Sequence, residues 1–333
     1  MEKFREQEQR FTAYREKLEY GVYHVIADLA IEAYITEEPA AFSERESGRH
    51  MAPKPGDHWG DLFDCGWFHF TGRVPKEAWE SHAAVLIDVS AEGLLVDKDG
   101  NPVQGLTSAT SRNEFPLGLW GKRTIEMEDC AKDGVVDCWI DFTCCDVEGQ
   151  YKNNGRVKEA CIALVDDLCR DAFYDWVVCQ SLFVGLCENG DAYGEEVGGI
   201  LEEAALVLQE ALGEVQEDGT LQAGMGTEAL MKGRDAYAEA GEQLSILPDL
   251  ETDHTKKCQI AIPSDALLKV RSILQEILSR KNESPSMTYS AIGHSHLDLL
   301  FLWPERETYR KCARTLSTVM KLMDRFPEYK FTL

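Results

Sequence analysis

The residues best suited to chemistry stand together in GHSHLDLLFLWP, Gly293 to Pro304. His294, His296 and Asp298 occupy alternate positions there. In an extended segment, residues two apart face the same side, so the three side chains can converge on one ion. Imidazole nitrogen and carboxylate oxygen suit zinc and its divalent relatives. A catalytic zinc takes about three protein ligands and keeps one position open. This stretch alone supplies no closed set, so at least one further ligand is expected elsewhere. A lone histidine at a strand end is usually only hydrogen-bonded, whereas a triplet after an apolar strand is a stronger metal signal.

Positioning such groups takes a strand before them and a helix after them. MTYSAIG, 287–293, reads as a buried strand that runs straight into HSHLD. Pro304 suits the first turn of a helix, where its missing N–H costs nothing. ERETYRKCARTLSTVMKLMDRF then places Cys312, Leu316, Val319, Met320 and Met323 on one apolar face. Phe326-Pro327 ends that helix, and YKFTL reads as a second strand. Strand, loop, helix, strand is a βα unit of an α/β domain. Its histidines lie at the C-terminal end of a strand, where α/β domains place their chemistry.

Upstream the pattern changes twice. Residues 1–54 read as a helical segment, with Ile26, Leu29, Ala30 and Ala33 at helical spacing. Residues 55–168 hold short strands, WFHFTGRV, AVLIDVS, GLLVDKDG, DCWIDFTCC and EACIALVD, separated by turn residues. That spacing predicts an antiparallel β-sandwich. Residues 169–285 return to helical periodicity in DAFYDWVVCQSLFVGL, GGILEEAALVLQEAL and SDALLKVRSILQEIL. The expected fold is therefore α+β and multidomain: helical segment, sandwich, helical region, and from 286 to 333 the first βα unit of an α/β barrel-like domain.

The chain has 333 residues and a formal net charge of -25. Such a surface repels nucleic acid and anionic lipid, so neither partner is expected. No stretch reaches the ~18 apolar residues of a membrane span. The start, MEKFREQEQRF, lacks the apolar centre of an export signal. The 11 cysteines include no CxxC pair, and reduced thiols in a cytoplasmic protein are expected. A homo-oligomer is compatible with this composition.

The stretch AIGHSHLDLLFLWPERETYRKCARTLSTVMKLMDRFPEYKF resembles the opening of the catalytic domain of family 38 glycoside hydrolases, the α-mannosidases, above all their cytosolic and bacterial branch. The shared pattern, GHxHxDxxWLWPxxET, a helix with an RT…ST phrase and then RFPEYxF, is met at Gly293, His294, His296, Asp298, Trp303, Pro304, Glu307, Thr308, Arg314, Thr315, Ser317 and Thr318. WGDLFDCGWFHFTGRVP and EGLLVDKDGNPVQGL are similar to that branch's N-terminal β domain. The resemblance implies a zinc ion, or another divalent ion such as Co2+, held by His296 and Asp298. It implies α-mannoside oligosaccharides as partners, with His294 and Phe301 near the sugar. It also implies a retaining mechanism whose nucleophile, acid/base and remaining ligands are expected beyond Leu333, so that this chain is inactive alone. Asp61, Asp64, Asp324 and Glu328 are not expected to replace them. One departure stands out: Phe301 occupies the position of the family's usual tryptophan, which puts substrate preference in question.

Other readings make their own demands. HxHxDH metal sites need a histidine after the aspartate, and Leu299 stands there. An amidohydrolase-like barrel shares HxH, but the match from Trp303 to Phe331 argues against it. A carbohydrate-binding or scaffold sandwich without catalysis would use exposed aromatics, with Trp59, Trp67, Trp79 and Trp120 as candidates.

Overall fold

The computed structural model describes residues 2–108, 122–145, 154–213, 260–281, 290–295, 297–300 and 303–332. The strands in chain order are β1 (Tyr23–Asp28), β2 (Ala30–Thr36), β3 (Arg49–Met51), β4 (His58–Gly60), β5 (Cys65–Arg73), β6 (Ala83–Asp88), β7 (Glu92–Val96), β8 (Pro102–Thr107), β9 (Thr124–Glu126), β10 (Ala131–Lys132), β11 (Val135–Thr143), β12 (Gly155–Arg156), β13 (Glu159–Val165), β14 (Gly293–His294) and β15 (Phe331–Thr332). The helices are α1 (Glu2–Gly21), α2 (Lys76–Glu80), α3 (Met127–Cys130), α4 (Asp167–Glu188), α5 (Tyr193–Leu212), α6 (Ser264–Leu278) and α7 (Glu305–Arg325).

Two antiparallel sheets face each other in a jelly-roll-like sandwich. One has the order β1-β13-β6-β9; the other runs β3-β2-β5-β11-β7-β8, with β10 beside β11. Alternation decides which side chains go inward. On β11, Val136, Cys138, Ile140 and Phe142 are buried against Phe68 and Phe70 of β5, while Asp137, Trp139 and Asp141 face the other way. Removing one such phenyl ring, as in Phe142→Ala, belongs to a class of change that costs about 3–5 kcal/mol. The two central strands of the smaller sheet are covered on both sides. Val85 and Ile162 point into the sandwich, and Leu86, Cys161 and Ala163 form a small cluster on its back with Tyr23 and Val25.

The helical reading of residues 1–54 is corrected. Helix α1 stops at Gly21, and Ile26, Leu29, Ala30 and Ala33 are not helical; three of them lie on β1 and β2. Their three- and four-residue spacing coincides with a helical period. The stronger pattern is the alternation of Ile31, Ala33 and Ile35, buried at every second position of a stretch rich in β-branched residues. Strand content of the sandwich thus begins at Tyr23, well before residue 55.

Helix α1 instead packs with α4, α5 and α6 around a second core built from Phe11, Leu18, Trp176, Phe183, Leu201 and Leu274. The Trp176 indole N–H, wholly buried, donates to the Phe11 carbonyl at 3.1 Å. Asp166 caps α4 by accepting from the Cys169 amide at 2.9 Å. Among the described residues no helix is long and apolar enough to cross a membrane.

All cysteines among the described residues are free thiols. Burial pushes Cys145, Cys169 and Cys179 up to about 12. The thiolate is the reactive form, so at about pH 8 these three are expected not to react with a disulfide reagent until the protein unfolds. Half-buried Cys187 and Cys312 should react first. Titration with Ellman's reagent, with and without denaturant, checks this. Fast labelling of Cys169 in the folded chain would contradict it.

Candidate active-site loop and its support

The HSHLD segment leaves β14, which is only two residues long. Of the expected strand 287–293, Ser290 to Ile292 are not in strand, and 287–289 lie outside the described residues. β14 pairs with β15 in parallel, Gly293 opposite Phe331 and His294 opposite Thr332. A parallel pair needs a crossover, and α7 supplies it. Gly293 is required by close approach, because a Cβ there would fall 2.3 Å from the Tyr329 hydroxyl. The Gly293 amide donates to the Lys330 carbonyl at 2.7 Å. His294 is exposed, with Nδ1 3.2 Å from the Thr332 carbonyl.

Asp298 is half-buried in the loop that follows. Two residues on, Leu300 takes a left-handed conformation at φ 62°, which costs a non-glycine residue about 1–2 kcal/mol and persists only where its surroundings impose it. His296 and Phe301, the expected ligand and sugar contact, lie outside the described residues. The loop ends at Trp303, whose indole N–H donates to the Thr308 hydroxyl at 3.0 Å. Among the described residues no three His, Cys, Asp or Glu side chains come together as a metal shell.

Helix α7 is held by an ion network against the outer face of the larger sheet. The Glu307 side chain is fully buried, and its carboxylate receives Arg310 at 2.7 Å and Arg314 at 3.1 Å. Arg310 also grips Asp141 on β11, with Nε at 3.1 Å, and bonds the Thr143 hydroxyl. Glu92 on β7 receives Lys311 at 2.5 Å and Arg314 at 3.2 Å. Farther along, Lys321 meets Asp129 and Gln104, and Arg325 meets Glu126 at 2.9 Å. Burial alone would weaken the Arg310 charge, but Asp141 and Glu307 more than reverse this, so its pKa is raised. Burial likewise pushes the Asp141 carboxyl above its usual value, while Arg310 and Arg314 pull it back.

Close contact between α7 and β8 depends on Gly105. A Cβ there would sit 2.7 Å from the Arg314 carbonyl, and the Gly105 amide donates to the Thr318 hydroxyl at 2.9 Å. The apolar face expected of this helix is therefore not its buried face. Val319 is buried, but Leu316, Met320 and Met323 are exposed, and the charged side packs on the sheet. Charged residues on α7 find charged partners on β7, β11 and the α3–β9 corner, so the polar stripe is the complementary one.

Sequence reasoning anticipated the loop but missed its support. Glu92 and Asp141 point outward from strands, where acidic residues are ordinarily solvated. Glu92, Gln104 and Gly105 were signalled by the Glu-Gly and Gln-Gly-Leu phrases, since Glu92 meets Lys311 and Arg314, Gln104 meets Lys321, and Gly105 meets Thr318; Asp141 carried no such signal. Trp59 and Trp67 are buried, with indole N–H groups donating to the carbonyls of Val89 and Ala40, so they offer no sugar-stacking face. Trp79 is exposed, and Trp120 lies outside the described residues.

Comparison with known proteins agrees with both halves of this contact. The family model described as Alpha-mannosidase, jelly roll domain, matches residues 27–165, and that of Glycosyl hydrolases family 38 N-terminal domain matches 286–333. Alpha-mannosidase 2C1 of Homo sapiens is 22% identical over 302 residues, which are 90% of this chain and 24% of that protein. Alpha-mannosidase G of Dictyostelium discoideum is 41% identical over 58 residues, 17% of this chain and 5% of that protein. The Alpha-mannosidase of Saccharomyces cerevisiae is 58% identical over 40 residues, 12% of this chain and 4% of that protein. The chain spans about a quarter of the length of the human relative. With its jelly roll and its HSHLD segment both matched, the chain belongs to glycoside hydrolase family 38, the α-mannosidases, and carries an N-terminal portion of that family's architecture.

Proposed function

We propose that the chain is the N-terminal part of a zinc-dependent, retaining α-mannosidase that removes terminal α-linked mannose from oligosaccharides. The observation that carries this reading is the HSHLD loop at the mouth of a parallel strand pair, within a segment matched to the family 38 domain. β14, α7 and β15 are read as the first βα unit of an α/β barrel-like catalytic domain. Free thiols among the described residues support a cytoplasmic setting.

The donor chemistry fits a divalent ion. His296 and Asp298 would hold it, and the ion, zinc or a relative such as Co2+, would supply charge stabilisation and orientation of sugar hydroxyls. The shell is completed by groups not yet identified. Phe301 offers an apolar ring to the C–H face of the sugar, and His294 a ring nitrogen to a hydroxyl. Retaining glycosidases work with two carboxyl groups about 5–5.5 Å apart. Asp64 belongs to the turn between β4 and β5 of the jelly roll, where its carboxylate accepts from the Asp61 amide at 2.9 Å. The resemblance to family 38 assigns the nucleophile and the acid/base to residues outside these 333.

Aryl α-mannosides test the reading. The 333-residue chain, supplied with zinc, is expected to leave them intact. A longer protein that continues past Leu333 is expected to hydrolyse them and to lose activity to a chelator. Turnover by the 333-residue chain at enzymatic rates would overturn the assignment.

A further inference from the structure

We propose that Glu92 of the jelly roll positions the metal-ligand loop through Lys311 and Trp303. The idea rests on the reading of His296 and Asp298 as ligands, but its structural basis is independent of them. Among the described residues of the loop, Leu299 is 72% exposed and Leu300 51%. Leu300 is held there in a left-handed conformation. Among the described residues, the next one after it is Trp303, whose indole N–H donates to the Thr308 hydroxyl. The Lys311 ammonium lies 4.3 Å from the centre of that ring, within cation–π range. Lys311 is itself nearly buried and is fixed by Glu92 at 2.5 Å. The second oxygen of Glu92 is held by Arg314, which Glu307 holds in turn.

The remaining space points the same way. A cavity of about 220 Å³ is lined by Leu297 and Trp303 of the loop, Glu92 and Thr107 of the sheet, and Lys311 and Arg314 of α7. The Glu92–Lys311–Trp303 chain crosses from the sheet to the loop beside that gap. The jelly roll thus acts as more than a platform for α7: it sets where the residues after Asp298 turn. Such support of ligand-bearing groups commonly changes metal affinity ten- to a hundredfold.

Hydrogen exchange on the 333-residue chain tests this without metal. In Lys311→Met, exchange in peptides covering 293–304 is expected to rise about tenfold. Exchange in 305–325 should stay within about twofold, because Arg310 and Arg314 still dock that helix. Glu92→Gln should act likewise, and Lys311→Arg should restore protection. Unchanged loop exchange, or α7 rising in step with the loop, would overturn the proposal. Should Lys311→Met unfold the chain, Trp303→Leu decides, since it removes the ring while leaving every ion pair intact. In the longer protein, Lys311→Met should also weaken zinc binding ten- to a hundredfold in a chelator competition. Failure of the metal reading looks different: His296→Ala with Asp298→Ala would then leave zinc affinity unchanged.

Discussion

Glu307→Ala is expected to cost about 3–5 kcal/mol at the contact between α7 and the jelly roll. Exposed ion pairs contribute only about 0–1 kcal/mol, so burial decides the size. Glu307 has no exposed side-chain surface, and the side chains of Arg310 and Arg314 are 11% and 6% exposed. Removing the carboxylate leaves two guanidinium groups in a site where water cannot replace it. Asp141 and Glu92 still offset part of the charge, which sets the expectation toward the lower end of the range. Glu307→Gln should lose less, since the amide oxygen still accepts one hydrogen bond. The effect should be local. In native-state hydrogen exchange, α7 should lose protection while α4, α5 and α6 keep theirs, because their core shares no residue with this network. A loss below about 1 kcal/mol would show that the network behaves as a solvated surface cluster.

The second large effect is on chemistry. In the longer protein, Asp298→Ala and His296→Ala are each expected to remove the bound ion and lower kcat/KM on aryl α-mannosides by about 10³-fold or more. A metal ion at a glycosidic centre contributes several kcal/mol of charge stabilisation, and each ~1.4 kcal/mol is tenfold in rate. His294→Ala is the informative contrast. That ring is exposed and turned toward the Thr332 carbonyl, so its loss should weaken sugar binding and leave the ion in place. Metal analysis of the purified variants separates the two roles. Full zinc content in Asp298→Ala would remove that residue from the proposed shell.

These two effects arise about one helical crossover apart, and together they explain why the family pattern spreads so far along the chain. His294, His296 and Asp298 stood out as candidates because metal-binding chemistry is carried by residue type and by a two-residue spacing. The strands WFHFTGRV, DCWIDFTCC and EACIALVD were legible for a similar reason, since inward and outward positions alternate. Ile26 to Ala33 misled because a spacing of three and four also occurs by chance within strands, and only pairing of β2 with β5 settles the period. Trp59 and Trp67 pack the core, as is usual for tryptophans on the strands of a sandwich.

By itself, the sequence determined the family pattern, the HxHxD spacing and most strand and helix segments, because these depend on residues near one another in the chain. It could not determine what Glu92, Gly105 and Asp141 are for. Their partners lie 169 to 222 residues away, and an outward carboxylate or a glycine in a strand has an ordinary local reading. Tertiary structure alone turned the charged stripe of α7 inward and left Leu316, Met320 and Met323 outward. The physical reason is complementarity: a helix buries whichever face its neighbour can satisfy, and here the neighbour presents carboxylates rather than an apolar surface.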